Sequence, residues 1–451
     1  MKVTLSLMGV IAGAGTLCAE PPITFTEHVM PILQARCQSC HRPGEIAPMS
    51  LLTYQETRPW AASIRENVLK GTMPPWHADP RFGAFSNDRR LTREEIDTLV
   101  RWVDSGAPEG DRKDLPPPVK FEEGWTIGKP DVVLSMTEEY TVDPAGQDRY
   151  IYFSIPTNFS EDRFIRAIEL RPGNRKVVHH ALVFLKKKTA PLRSRSQGDM
   201  DRFNNVVGFP LFKVEGDVLR VEPAAPVHDD ACGLPDGGSA LPGDVTEGSS
   251  PLVYSFTPGA RGDMLPEGTG IRIPADSELM LQIHYARADT VEKDRSSVGL
   301  IFATEPPKKL FHQQWVQNYY FKIPAGADNH EARGCHTLSK DVFVRAVLAH
   351  MHLRGKDMEV KAFLPGGGVE TLLLVPAYDF NWQTTYWLEE PRLLPAGTRI
   401  EARAHYDNSR RNPFNPDPEV EVRWGDPTSD EMLIAGVAYT EASDATTSHE
   451  P

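Results

Sequence analysis

KVVHHALVFL, residues 176–185, is a run of valine, leucine and phenylalanine interrupted by two adjacent histidines, His179 and His180. Runs of this composition favour strands, where alternate side chains share a face. Others of the same kind lie on either side: RYIYFSIP (149–156), LMLQIHYAR (279–287), VFVRAVLAHMHLRG (342–355), VETLLLVP (369–376) and RIEARAHYDN (399–408). Gly and Pro separate them, and the scatter of 39 prolines and 34 glycines fits many short strands better than a helical bundle. Beyond about residue 130 the spacing predicts antiparallel sandwiches.

The first hundred residues read differently. In LTREEIDTLVRWVDSGAP (91–108), Thr92 and Glu95 form a capping-box pattern. Ile96, Leu99, Val100 and Val103 then follow one helix face, and Gly106 and Pro108 stop it. RPWAASIRENVLKG (58–71) is a second helix ending at Gly71. FTEHVMPILQARC (25–37) is a third, with Pro31 an awkward feature inside it.

At 451 residues the chain has room for about three domains of ordinary size. The expected division is a signal peptide over 1–19, a helical domain over 20–110 and a Pro-rich linker over 111–130. Two β-sandwich domains follow over 131–305 and 306–440, with ATEPPKKL (303–310) as the boundary, and a disordered tail over 441–451. Residues 190–250 read as long loops. The fold class is thus multidomain: a small all-α domain, then two all-β, jelly-roll-like sandwiches. A net charge of −13 argues against nucleic acid as a partner and against a polybasic membrane anchor. The start, one Lys and a short apolar run ending in small residues, predicts cleavage after Ala19 and export to a secreted or periplasmic location. No stretch is long enough to span a membrane. In an oxidising compartment Cys232 and Cys335 could pair, or remain two buried thiols.

RCQSCHRPG (36–44) holds Cys37, Cys40 and His41 in the C-x-x-C-H attachment pattern of haem c. Two thiols add to the vinyl groups and the adjacent histidine reaches the iron. A zinc or thiol-redox reading finds no second C-x-x-C or spaced His pair nearby. For the sixth ligand, KGTMPPWHADP (70–80) offers Met73 and, as an outside candidate, His77. Met49 lies only eight residues past His41, too close to reach the opposite haem face, and reads as core packing. Residues 26–106 resemble a small class I cytochrome c.

Histidine is the commonest ligand for copper and zinc, and imidazole with a thioether favours copper. His350 and His352 alternate in a strand-like run, so both rings can converge on one ion. His179 and His180 are neighbours, and would share an ion only where the strand is irregular. His284 stands in another strand. In order, the HH pair, Gln282 to Tyr285, the H-x-H and the DEM of Asp430, Glu431 and Met432 resemble the copper type II, ascorbate-dependent monooxygenases. That family includes the peptidylglycine and dopamine β-hydroxylating enzymes.

The resemblance implies two coppers. His179, His180 and His284 would hold one, an electron-storing site, while His350, His352 and Met432 would hold the oxygen-binding one. Gln282 would assist, and each site would sit on its own eight- or nine-stranded sandwich. The family's peptide-amidating member has an Arg where this chain has Leu348, and an Asn and a Tyr where it has Ile434 and Gly436. The expected function is a haem c/dicopper monooxygenase that takes electrons from an external donor and uses O2 on a small organic substrate. A haem–copper electron carrier or sensor, or a copper oxidase without organic product, are the alternatives.

Overall fold

Alternating burial along the strands and a capped amphipathic helix near the amino end organise the chain, seen here in a computed structural model. It describes residues 22–45, 47–121, 124–144, 149–187, 212–215, 218–221, 225–234, 252–257, 261–286 and 289–442. The expected signal peptide, most of the 190–250 stretch and the tail from 443 lie outside the described residues.

The amino-terminal helices pack around Phe25, Val29, Leu33, Leu99 and Trp102, each at most 1% exposed. Arg93–Asp104 is fixed at its start by a capping box: Glu95 N–H donates to Thr92 Oγ1 (3.1 Å), and Thr92 N–H donates to the Glu95 carboxylate (2.7 Å). Ala61–Lys70 ends at Gly71, whose φ of 69° is left-handed and suits a residue without Cβ. Pro31 proves to lie in the first turn of Met30–Arg36, where its missing N–H is tolerated; a π-helical turn, Phe25–Val29, leads into it.

The strands form two sandwiches. In the first, Arg149–Pro156, Ser277–Tyr285, Val178–Lys187 and Leu252–Phe256 make a four-stranded antiparallel sheet in that order. Its apolar face meets the strands Val132–Ser135, Ser297–Phe302, Arg163–Arg171 and Thr269–Ile273. In the second, His330–Thr337, Arg399–Tyr406, Gly355–Phe363 and Val369–Val375 face Lys309–Gln317, Ile434–Glu441, Val342–His350 and Thr385–Leu394. The segment 303–310 carries the chain across, yet the sheet does not stop there. Thr269 and Gly270 pair in parallel with Lys309 and Leu310, which fuses the two larger sheets into one of nine strands.

The helical cluster is fastened to both sandwiches. Beyond Gly71 the chain forms a strap whose Trp76, Ala78 and Phe85 belong to the core of the second sandwich. Asp79 N–H donates to Leu374 O, Ser86 N–H to Trp387 O, and Glu389 N–H to Ala84 O, at 2.8–2.9 Å. Tyr386 presents its ring to Trp76 (5.0 Å) and Phe85 (5.4 Å). On the other side Glu45 accepts from both Arg42 and Arg175, the latter in the first sandwich. Within 111–130, Trp125 packs so close to Gly299 that a Cβ there would collide with it at 2.8 Å. Thr126 and Ile127 donate their N–H groups to the Glu169 carboxylate. A disulfide joins Cys232 to Cys335.

Because Trp76 is 6% exposed and fills the second sandwich's core, Trp76→Ala should cost about 3–5 kcal/mol. Urea denaturation should show this, together with faster proteolysis between residues 71 and 91. A loss under about 1 kcal/mol would mean the strap is not anchored there.

Candidate metal centres

Strand alternation sorts the side chains before any site is considered. On Ser277–Tyr285, Leu279, Leu281, Ile283 and Tyr285 enter the core, which leaves Gln282 and His284 on the other face. On Val178–Lys187, Ala181, Val183 and Leu185 enter the core and His180 faces away with them. His284 pairs with His180, but the next residue, Tyr285, pairs with Val178. His179 is therefore the extra residue of a β-bulge, and a bulge re-aims a side chain that a regular strand would send to the opposite face.

The three rings consequently meet. Nδ1 of His180 lies 3.2 Å from Nδ1 of His179 and 3.2 Å from Nδ1 of His284. Nitrogens held about 2.0 Å from an ion at tetrahedral angles would be about 3.3 Å apart, so the spacing fits one metal. Burial, reinforced by the neighbouring histidines, holds His180 well below the usual imidazole range, which leaves it neutral and able to ligate. Tyr150, opposite His284 on the neighbouring strand, stacks on it at 4.4 Å with the planes 1° apart. Gln282 donates to the Tyr152 hydroxyl.

The second set sits where two adjacent strands meet. Val342–His350 runs antiparallel to Ile434–Glu441, with His350 opposite Ile434. The chain just past His350 therefore lies beside the chain just before Ile434, and His352 comes to the same end as Met432. Met351, between the histidines, turns into the core. Nδ1 of His350 donates to Gln383 Oε1 (2.7 Å), and Nδ1 of His352 to the Asp430 carbonyl (3.2 Å), so each ring offers Nε2 outward. Burial lowers His350 to about 4 and holds His352 well below the usual imidazole range. Glu431 ties the set together: its carboxylate accepts the N–H groups of His352 (2.8 Å), Arg354 (2.7 Å) and Met432 (3.2 Å). Burial pushes this carboxyl up to about 7 despite those donors.

One residue touches both sets. The Phe380 ring lies 5.6 Å from His179, 6.2 Å from His180 and His284, and 5.9 Å from His352. Its loop is pinned by the Gln383–His350 bond and by Tyr378, which donates to Met351 O and accepts from Met351 N–H. A single cavity is lined from one side by His180 and Gln282 and from the other by His350, His352 and Met432. Local sequence pattern assigns no role to Phe380, Glu431 or Tyr150, because each acts through partners on other strands. His405, outside both sets, is held between Asp357 (2.7 Å) and Glu331 (3.2 Å).

In the helical cluster Cys37 and Cys40 are free and half-buried, on a turn closed by His41 N–H donating to Cys37 O at 2.9 Å. Burial, with Cys40 nearby, pushes the Cys37 thiol up to about 12. Nδ1 of His41 and of His77 are buried without a hydrogen-bond partner among the described residues. Met73 follows the Gly71 cap at the head of the strap, and no hydrogen bond or ring contact joins it to His41 among the described residues. Met49 packs against the helical core.

No protein-family model matches the chain. Over 209 residues it is 24% identical to DBH-like monooxygenase protein 1 of Gallus gallus, covering 42% of this chain and 33% of that protein. The Homo sapiens protein of the same name is 23% identical over the same shares. DBH-like monooxygenase protein 2 of Mus musculus is 24% identical over 218 residues, or 40% and 33% of the two chains. The matched part of this chain thus spans about a third of the length of these relatives. The likeness is thus between about two-fifths of this chain and a part of proteins named DBH-like monooxygenases. Among solved structures, the major capsid protein P2 of bacteriophage PM2 aligns over 71% of this chain and 99% of its own. Its TM-score of 0.25 and 9% identity carry no argument. No helix among the described residues is long and apolar enough to cross a membrane.

Glu431→Ala would strand three buried N–H groups, and should destabilise the protein by about 3 kcal/mol or more. Glu431→Gln keeps one acceptor oxygen and should recover part of the loss. Thermal unfolding of the two variants checks the order; equal stability of both with the parent would remove Glu431 from this role.

Proposed function

We propose that the chain is an exported haem c/dicopper monooxygenase-like oxidoreductase, which uses O2 to hydroxylate a C–H bond of a small organic substrate. The observation that carries this reading is the pair of ligand sets, three imidazoles gathered by the His179 bulge and an H-x-H with a methionine, facing each other across a cavity that His180 lines on one side and His350, His352 and Met432 on the other. His179, His180 and His284 would hold one copper, and His350, His352 and Met432 the other, the softer thioether favouring Cu(I) at the second. Cys37 and Cys40 would carry the haem through thioethers, and His41 and Met73 would ligate its iron. When bound, these groups supply one-electron transfer from an external donor and oxygen activation.

The chain's own residues prepare the site. Gln383 and the Asp430 carbonyl fix the tautomers of His350 and His352, so that no proton has to leave a ligating nitrogen. Glu431 holds the backbone of His352 and Met432 at one separation. Phe380 lays one apolar ring against both sets, 5.6 Å from His179 and 5.9 Å from His352. Gln282, fixed by Tyr152, faces the cavity beside His284.

Purified protein should contain two coppers and one covalent haem per chain by metal analysis and pyridine haemochrome. His284→Ala should drop copper to one. Zinc in place of copper would refute the monooxygenase reading. Oxygen uptake must be matched by ¹⁸O in an organic product, because uptake alone would describe an oxidase. At the haem, Met73→Ala should convert the spectrum to a high-spin or differently ligated form, whereas Met49→Ala should leave the ligation unchanged. The reverse result would exchange the two assignments.

A further inference from the structure

The period-two geometry that places the ligands also places the walls of the cavity between them. On the His180 strand, Leu182 and Phe184 share the histidine's face; on the His350 strand, Leu348 does the same. Trp315, Trp424 and Ile434 complete the apolar lining. No Lys or Arg lines the cavity among the described residues, and its only carboxylate, Asp426, is 4% exposed and offers a ligand little surface.

Both glutamines that flank the ligand sets, Gln282 and Gln383, are already engaged within the chain. Gln282 donates to Tyr152, and Gln383 accepts from His350 while donating to the Phe380 carbonyl at 3.1 Å. Two arginines lie just behind the second ligand set, and both are held elsewhere. Arg220 pairs with Asp430 at 2.6 Å, and Arg354 donates to Asn408 (2.8 Å) and to the Ser429 carbonyl (2.9 Å). A carboxylate entering here would give up its water and meet no lysine or arginine, so that only a metal held by the histidines could offset its charge. An ammonium would give up its water for a nearly covered acid. Either loss is costly, whereas an uncharged apolar skeleton gains from each wall it touches.

We propose that this cavity binds a neutral, apolar organic molecule, aryl or alkyl in skeleton and without carboxylate or ammonium, and that Leu348 is a specificity-determining position. The proposal rests on the functional reading above for the meaning of the bound state, and on the wall residues alone for its chemistry.

The test uses the full-length, metal-loaded protein without reductant and three probes that share a phenylpropyl skeleton: butylbenzene, 3-phenylpropylamine and 4-phenylbutanoate. Dissociation constants come from calorimetry, with tryptophan fluorescence as a second readout because Trp315 and Trp424 line the cavity. Butylbenzene should bind at least ten-fold tighter than either charged probe. Leu348→Arg should weaken butylbenzene and tighten 4-phenylbutanoate at least ten-fold. If that variant does not fold, Leu182→Arg introduces the same charge from the opposite wall and should shift the ranking in the same direction. Equal or tighter binding of the amine or the carboxylate by the parent, or binding of none of the three, would overturn the proposal. Since binding is read without turnover, the two ideas fail separately. A wrong ranking in an active hydroxylase sinks only the substrate class, and a correct ranking in a protein without hydroxylase activity sinks only the function.

Discussion

Two residue pairs, Thr269 with Lys309 and Gly270 with Leu310, join the larger sheets of both sandwiches into one. Without that junction each sandwich would be a closed body with its own core, free to turn about the segment 303–310. With it, the nine-stranded sheet runs unbroken from the first sandwich to the strands that end at His350 and begin at Ile434. The first histidine set sits on the smaller sheet packed against the near half of this surface. A change of a few degrees at the junction would move one set past the other by ångströms, so the continuous ladder is what makes the shared cavity a fixed object. Phe380 exploits that rigidity, because a single ring can contact His179 and His352 together only if their separation is constant.

The second constraint is the strap. A tethered amino-terminal domain would be expected to sample many positions, with the prolines at 116–118 setting its range. Instead, Trp76 and Phe85 are buried in the second sandwich and Glu45 is paired with Arg175 in the first. The strap also brings His77 near Asp379, the residue before Phe380, whose charge acts on that imidazole. The helical cluster and the histidine sets are thereby connected through one packed loop rather than through a flexible linker. Any exchange between them would depend on fixed distances and not on encounter.

His180, His350 and His352 are buried enough to stay neutral, and that choice has a cost which the surrounding residues meet. Glu431 is a buried carboxyl whose three donated N–H groups come from the residues that must not move. Arg354, beside it, is fully buried and bonded to Asn408 and the Ser429 carbonyl. Such a network stabilises little if incomplete and specifies geometry if complete. It is consistent with a site where ligands wait in position before a metal arrives.

Much of this was legible in the sequence. The helix at 93–104, its cap, the Gly71 stop and the strand character of the later runs follow from local rules about side-chain spacing and backbone freedom. His350 and His352 on one face, and Gln282 with His284, follow from strand periodicity alone. The sequence also posed the HH pair as a problem, because adjacent residues in a regular strand diverge. Only the pairing of Val178–Lys187 with Ser277–Tyr285 answers it, since a bulge is a property of two strands and not of one. Phe380, Glu431 and the strap were decided in the same way. Each matters through partners 28 to more than 300 residues distant, such as Phe380 against His352 and Phe85 against Leu388. Local chemistry fixes what a residue can do; which distant residue it meets is set by the packing of whole sheets.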